Sequence, residues 1–120
     1  MLRSARLALL LFSIAGCTQP ASQQAIECPV PETGQASGTV EESAAQIAAA
    51  GQQLHHGNSN AIGEVAAAVR KRHPEAGKGA IVNYLLTAYC PGLNADGALD
   101  QNGRRRAMSS FAKQAEATVR

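Results

Sequence analysis

Apolar side chains recur every three or four positions over four stretches of the chain, with polar residues between them. This spacing places the apolar residues on one helical face, so it predicts helices over about 40–56, 60–72, 79–89 and 101–119. No stretch alternates apolar and polar residues in the way a half-buried strand would. The pattern therefore predicts an all-α, four-helix domain over residues 39–120, joined by short loops.

Capping residues and a proline mark the predicted helix ends. Thr39-Val40-Glu41-Glu42 matches a capping box, with Thr39 as N-cap and Glu42 reaching back to it. Asp100 is the predicted N-cap of the last helix. The third helix is apolar on most sides, so we expect it at the centre of the fold, ending at Cys90-Pro91-Gly92.

The N-terminal region has a different composition. Arg3 and Arg6 precede an apolar run over 9–16, which is typical of an export signal. The run is shorter than the roughly 20 residues of a permanent membrane span. Residues 17–38 are rich in Gln, Ser, Pro, Ala and Gly without an apolar period, and they are predicted to form a flexible tether.

The end of the apolar run, Ile14-Ala15-Gly16-Cys17, resembles the lipobox of bacterial lipoproteins. The resemblance implies a signal peptide over 1–16, cleavage between Gly16 and Cys17, and a membrane anchor of lipid on the Cys17 thiol. In this family a residue other than Asp after the cysteine favours the outer membrane, and Thr18 fits. We therefore expect a periplasm-facing protein of the bacterial cell envelope. An ordinary cleaved signal and an uncleaved anchor are the alternatives.

The small apolar residues limit the core that the chain can build. Alanine is the commonest apolar residue, and beyond the signal only Tyr84, Tyr89 and Phe111 are aromatic. Such a domain usually needs a covalent link. With Cys17 carrying lipid, Cys28 and Cys90 remain, and an oxidising compartment favours a disulfide between them. The alternative, a redox or metal pair, lacks a C-x-x-C spacing.

Charge is distributed unevenly along the chain. Without Arg3 and Arg6, nine basic and nine acidic residues remain. Residues 17–64 hold five acids and no Lys or Arg, whereas residues 65–120 hold nine bases and four acids. The two halves either fold against each other or offer a charged surface to a partner.

A second resemblance lies in the third predicted helix. Tyr84-Leu85-Leu86-Thr87-Ala88-Tyr89-Cys90-Pro91 is similar to the Tyr-Leu-x-x-Ala-Tyr-Cys-Pro core of small, uncharacterised bacterial envelope proteins. Arg72-His73-Pro74 and Phe111-Ala112 extend the likeness. It implies a helical fold with the same cysteine bond, and it implies no activity.

The candidate metal ligands lack the spacing that a metal site needs. His55 and His56 point about 100° apart on a helix, so they cannot clamp one ion, and His73 is distant in sequence. Asp96-Gly97 and Asp100-Gln101-Asn102-Gly103 resemble calcium loops superficially. When either segment is aligned with a calcium loop, the Asp at the first ligand position and the Glu at the last one are missing. We expect no metal and no cofactor.

Arg104-Arg105-Arg106 lies in the first turn of the last predicted helix, where the helix dipole disfavours positive charge. This cost indicates a partner surface for anionic lipid headgroups, a glycan or an unknown envelope protein. An acidic face of the same molecule, or plain solvent, is the alternative. Nucleic acid is not expected in this compartment, and the sequence indicates no small-molecule substrate.

No catalytic residues are predicted, because the acidic residues are explained by capping and by the tether. We therefore expect a non-enzymatic interaction or structural module. One alternative is a small periplasmic stress chaperone, whose alanine-rich core loosens when Glu residues are protonated and exposes Ile81, Leu85 and Tyr89. Another is an enzyme, which would need a pocket with convergent polar groups.

Overall fold

The computed structural model describes residues 24–29 and 40–120. Within these residues the chain forms four α-helices and no strand: α1 Ala44–His56, α2 Ala61–Arg72, α3 Lys78–Ala95 and α4 Gln101–Thr118. The predicted all-α, four-helix fold is confirmed for this part of the chain. The predicted signal, Cys17 with its cleavage site at Gly16, and residues 18–23 and 30–39 lie outside the described residues.

α3 is the central helix, as its apolar composition predicts, and it contacts each of the other three helices. Its Ile81 and Leu85 are fully buried, and so is Val69 of α2. The core around them is made mainly of small side chains: Ala50, Val65, Ala66, Ala88 and Ala115. Because alanine buries little apolar area, the hydrophobic contribution to stability is small for a chain of this length.

α1 approaches α3 closely at Gly51. A Cβ atom added at residue 51 would collide with the carbonyl oxygen of Ala88. A glycine is therefore required here by the contact between the two helix backbones.

The predicted start of the first helix is wrong. α1 begins at Ala44, after the N-cap Ser43, whereas Thr39 lies outside the described residues. Ser43 forms the capping box with Gln46: the Gln46 backbone N–H donates to Ser43 Oγ at 3.2 Å, and the Ser43 backbone N–H donates to Gln46 Oε1 at 2.9 Å. Glu42 precedes the helix and makes other contacts, described below.

The predicted end of the third helix is also wrong, because α3 continues through Pro91 to Ala95. Proline lacks the N–H that would bond to the carbonyl four residues earlier, which normally weakens a helix. Here the turn beyond Pro91 is held by tertiary contacts: Leu93 is buried, and the Asn94 side chain bonds to a distant part of the chain.

Candidate functional site

Residues 24–29, which we call the strap, lie against the C-terminal half of α3. Cys28 is joined to Cys90 by a disulfide with a Cα–Cα distance of 5.5 Å, so the predicted bond is confirmed. The Ile26 N–H donates to Asn94 Oδ1, and Asn94 Nδ2 donates to the Ile26 carbonyl, both at 2.9 Å. The side-chain amide of Asn94 thus pairs with the backbone as a neighbouring strand would. The strap is fixed to α3 at two points, although it lies within the stretch predicted as tether.

An open groove runs between the strap, α3 and α4. Its volume is about 540 Å³. Its lining includes the apolar Ile26, Leu86, Met108 and Ala112, together with Arg105 and Glu27. We call it the strap groove; it combines an apolar wall with one cation and one carboxylate.

The three consecutive arginines of α4 have different environments. Arg104 is 2% exposed, so it does not belong to the predicted partner surface. Its Nε donates to the Leu93 carbonyl and its Nη2 to the Asp96 carbonyl, both at 3.0 Å. The guanidinium therefore satisfies carbonyls at the C-terminal end of α3, where the helix dipole favours positive charge. Arg105 and Arg106 are exposed.

Sequence reasoning missed a polar cluster around Glu42, whose side chain is 1% exposed. Arg72 donates to Glu42 Oε1 from Nε at 2.8 Å, and its Nη2 lies 2.7 Å from the same oxygen. His73 Nε2 lies 3.2 Å from Oε1, and the Tyr84 hydroxyl donates to Oε2 at 3.1 Å. The cluster joins the segment before α1 to the end of α2 and to α3. In the sequence, only the uneven charge distribution pointed to this cluster.

Burial of Tyr84 raises the pKa of its phenol from 10.0 to about 12, with a further contribution from the negative charge of Glu42. Both effects disfavour the tyrosinate. Tyr84 therefore keeps its proton at neutral pH and donates a hydrogen bond to Glu42.

A stack of three rings connects α1, α3 and α4. Tyr89 lies between His55 and Phe111, with ring centroids 4.2 Å and 3.8 Å away. His55 Nε2 donates to the Tyr89 carbonyl at 2.8 Å. A Cβ atom at Gly92 would collide with the imidazole, so this glycine makes room for it. Burial raises the pKa of Tyr89.

A second open groove, between α1 and α3, has a volume of about 410 Å³. Ile47, Ala48, Gly51, Pro91 and Ala95 form its apolar wall.

The residues considered as metal ligands have other roles. The backbone N–H of Ala98 donates to Asp96 Oδ1 at 2.9 Å, and that of Gly103 donates to Asp100 Oδ1 at 2.6 Å. Asp100 is thus the N-cap of α4, as predicted. His55 belongs to the ring stack and His73 to the Glu42 cluster. Across residues 24–29 and 40–120, no group of three or more His, Cys, Asp or Glu side chains could hold a metal ion.

Crossing a bilayer would need a longer and more apolar helix than any in the described part of the chain. No family model, no curated protein and no solved structure matches the chain.

Proposed function

We propose that the chain is a lipid-anchored, non-enzymatic interaction or structural module of the bacterial cell envelope, held through Cys17 with its domain on the periplasmic side. The disulfide between Cys28 and Cys90 carries this proposal. Such bonds persist in oxidising compartments and are rare in a reducing cytosol. The bond also leaves Cys17, which ends the lipobox-like sequence, as the remaining thiol of the three.

The strap limits how far the domain can move from its anchor. Ile26 is bonded to Asn94, and about nine residues separate it from Cys17, which span roughly 30 Å at full extension. A domain held so closely contacts partners at the membrane surface rather than across the envelope. The two open apolar grooves are surfaces that such a partner could cover.

The proposal is tested by crosslinking in cells, followed by fractionation and mass spectrometry of the envelope. We expect the wild-type chain in the membrane fraction with acyl groups on Cys17. We expect the Cys17→Ala variant to lack acyl groups, cleavage after Gly16 and the crosslinks of the wild type. Thr18→Ala is the matched control, because it changes the neighbouring residue and keeps the thiol. A wild-type chain in the membrane fraction without acyl groups on Cys17 would contradict the anchoring.

The second candidate, an acid-activated chaperone, is favoured by the buried Glu42 cluster. A side chain at position 42 without a negative charge would lose the ion pair with Arg72 and would accept the Tyr84 hydrogen bond more weakly. His73 also lies 4.0 Å from Glu75 and 3.2 Å from Glu42. Loss of the negative charge on Glu42 would therefore weaken contacts that join the segment before α1 to α2 and α3.

Glu42→Gln imitates the protonated state and tests this candidate. If the protein is an acid-activated chaperone, Glu42→Gln suppresses client aggregation at neutral pH, whereas the wild type does so only at low pH. Glu41→Gln is the matched control, since Glu41 is exposed and adjacent. If Glu42→Gln has no more effect than Glu41→Gln, the chaperone candidate is wrong.

A further inference from the structure

The outer side of α4 carries two exposed arginines in its first turns, Arg105 and Arg106. In the described residues the ion pairs within 4.0 Å involve Arg72, His73 and Lys78, and neither of these arginines. Lys113 is also exposed, but it lies one turn from the Glu116 that pairs with Lys78. We call Arg105 and Arg106 the α4 basic face.

The α4 basic face adjoins the strap groove. Arg105 lines that groove together with Ile26 of the strap and the apolar Met108. Glu27 is the carboxylate in the lining of the groove, so the groove and the basic face together carry a net positive charge. The bonds of Arg104 to Leu93 and Asp96 fix the first turns of α4 in this position.

Two contacts define the opposite end of the bundle. Arg70 donates to the carbonyl of Arg120, and Lys78 pairs with Glu116 at 3.7 Å. The C-terminal ends of α2 and α4 therefore meet there, at the start of α3. Arg105 lies 11 residues before Glu116 on α4, and Cys90 lies 12 residues after Lys78 on α3, so Arg105 and the disulfide to the strap are roughly 16–18 Å from that end along the helix axes.

The chain that leads to the anchor leaves from the strap end. Gln24 is the first described residue, and about seven residues separate it from Cys17, which span at most roughly 25 Å. A lipid on Cys17 therefore keeps the strap, and with it Arg105, close to the bilayer.

We propose that the α4 basic face and the strap groove form a docking surface for the anionic phospholipid headgroups of the membrane that holds Cys17. This inference rests on the anchoring in the proposed function. Guanidinium groups bind phosphate through paired hydrogen bonds, and they keep their charge at any physiological pH. The lipid supplies affinity through its acyl chains, and the α4 basic face sets the orientation of the domain on the membrane.

The test uses the lipidated chain in vesicles, with p-benzoylphenylalanine at Ser109, an exposed residue that lines the strap groove. Illumination joins the probe to whatever lies beside it, and phospholipid adducts are measured by mass. The control position is Ala67, which is exposed on α2. We expect adducts at residue 109 in vesicles containing phosphatidylglycerol, and at least fivefold fewer in phosphatidylcholine vesicles or at residue 67.

Charge-removing variants test the role of the arginines. Each basic residue near an anionic bilayer contributes about fivefold to binding, so Arg105→Gln with Arg106→Gln is expected to lower the adduct yield about 25-fold. Lys71→Gln removes one charge from the opposite end of the bundle and is the matched control for Arg105→Gln alone. Equal yields in the two lipids, or equal effects of Lys71→Gln and Arg105→Gln, would overturn the proposal. An adduct with a second copy of the chain at residue 109, instead of with lipid, would also overturn it.

This test remains separable from that of the proposed function. If the cell leaves Cys17 without acyl groups, the anchoring is wrong. The same chain coupled at Cys17 to a maleimide lipid then still tests whether the α4 basic face contacts anionic headgroups.

Discussion

Arg104 on α4 donates from Nε to the carbonyl oxygen of Leu93 on α3, at 3.0 Å. A cation that looks misplaced at the start of one helix thus stabilises the end of another. It also explains how α3 can extend past Pro91, since the last carbonyls of the helix find a buried donor.

We predict that Arg104→Met lowers the free energy of unfolding by about 2–3 kcal/mol, because the carbonyls of Leu93 and Asp96 lose a charged donor. Arg104→Lys should recover only part of this loss, because an ammonium group lacks the planar fork. Urea unfolding followed by circular dichroism measures both. The exposed Arg105→Met is the control, and an equal loss there would show that the two bonds contribute nothing specific.

The helix contact at Gly51 leads to a pair of glycine substitutions with opposite signs. Gly51→Ala should destabilise the protein by about 1–3 kcal/mol, because the added methyl group forces α1 away from the Ala88 backbone. In Gly63→Ala the methyl group would meet only Thr118 Cγ2, at 3.7 Å, so we expect a gain of up to about 1 kcal/mol from helix propensity. Thermal unfolding of both variants is the measurement. The same sign for both would contradict the packing at Gly51.

The disulfide is expected to supply a large share of the stability. It joins residues 62 apart, and closing a loop of that size contributes up to about 4 kcal/mol in the chain-entropy model. The double variant Cys28→Ser with Cys90→Ser should lose up to this amount, and reduction of the wild type should have the same effect. Urea unfolding with and without reductant compares them. If reductant also lowers the stability of the double variant, the effect of reductant has a cause other than the disulfide.

The raised pKa of Tyr84 predicts that the folded protein loses stability at alkaline pH. An unfolded tyrosine releases its proton near pH 10, whereas folded Tyr84 has a pKa of about 12. Between these values the unfolded state binds fewer protons, so stability falls as the pH rises, by up to about 1.4 kcal/mol per pH unit. Tyr84→Phe lacks this contribution but keeps that of Tyr89, whose pKa is also raised. Unfolding free energies measured from pH 8 upward should converge for the two proteins; parallel curves would contradict the assignment.

Periodicity in the sequence was sufficient to predict four helices, and the lipobox-like position of Cys17 left Cys28 and Cys90 as the predicted disulfide pair. Helix periodicity is a local property of the sequence, and the cysteine pairing follows from how few cysteines there are. Neither prediction needs knowledge of contacts between distant residues. The predicted start of α1 and the predicted end of α3 were wrong because distant residues decide them. Glu42 could have closed a capping box at Thr39, but Arg72, His73 and Tyr84 bind its carboxylate instead.

Arg104 was assigned to a partner surface for the same reason. The helix dipole indicated that arginines at the start of α4 are unfavourable there. The sequence could not show that the carbonyls that bind Arg104 lie at the end of α3. The strap was likewise assigned to the tether, because a short polar-rich segment gives no sign that Asn94 pairs with its backbone.

Mass spectrometry of the N-terminal peptide, from protein extracted from cell membranes, tests whether Cys17 anchors the disulfide-linked domain. We expect a peptide that begins at residue 17 and carries the added mass of fatty acyl groups. A chain that begins elsewhere, or a first residue Cys17 without acyl groups, would contradict the anchoring.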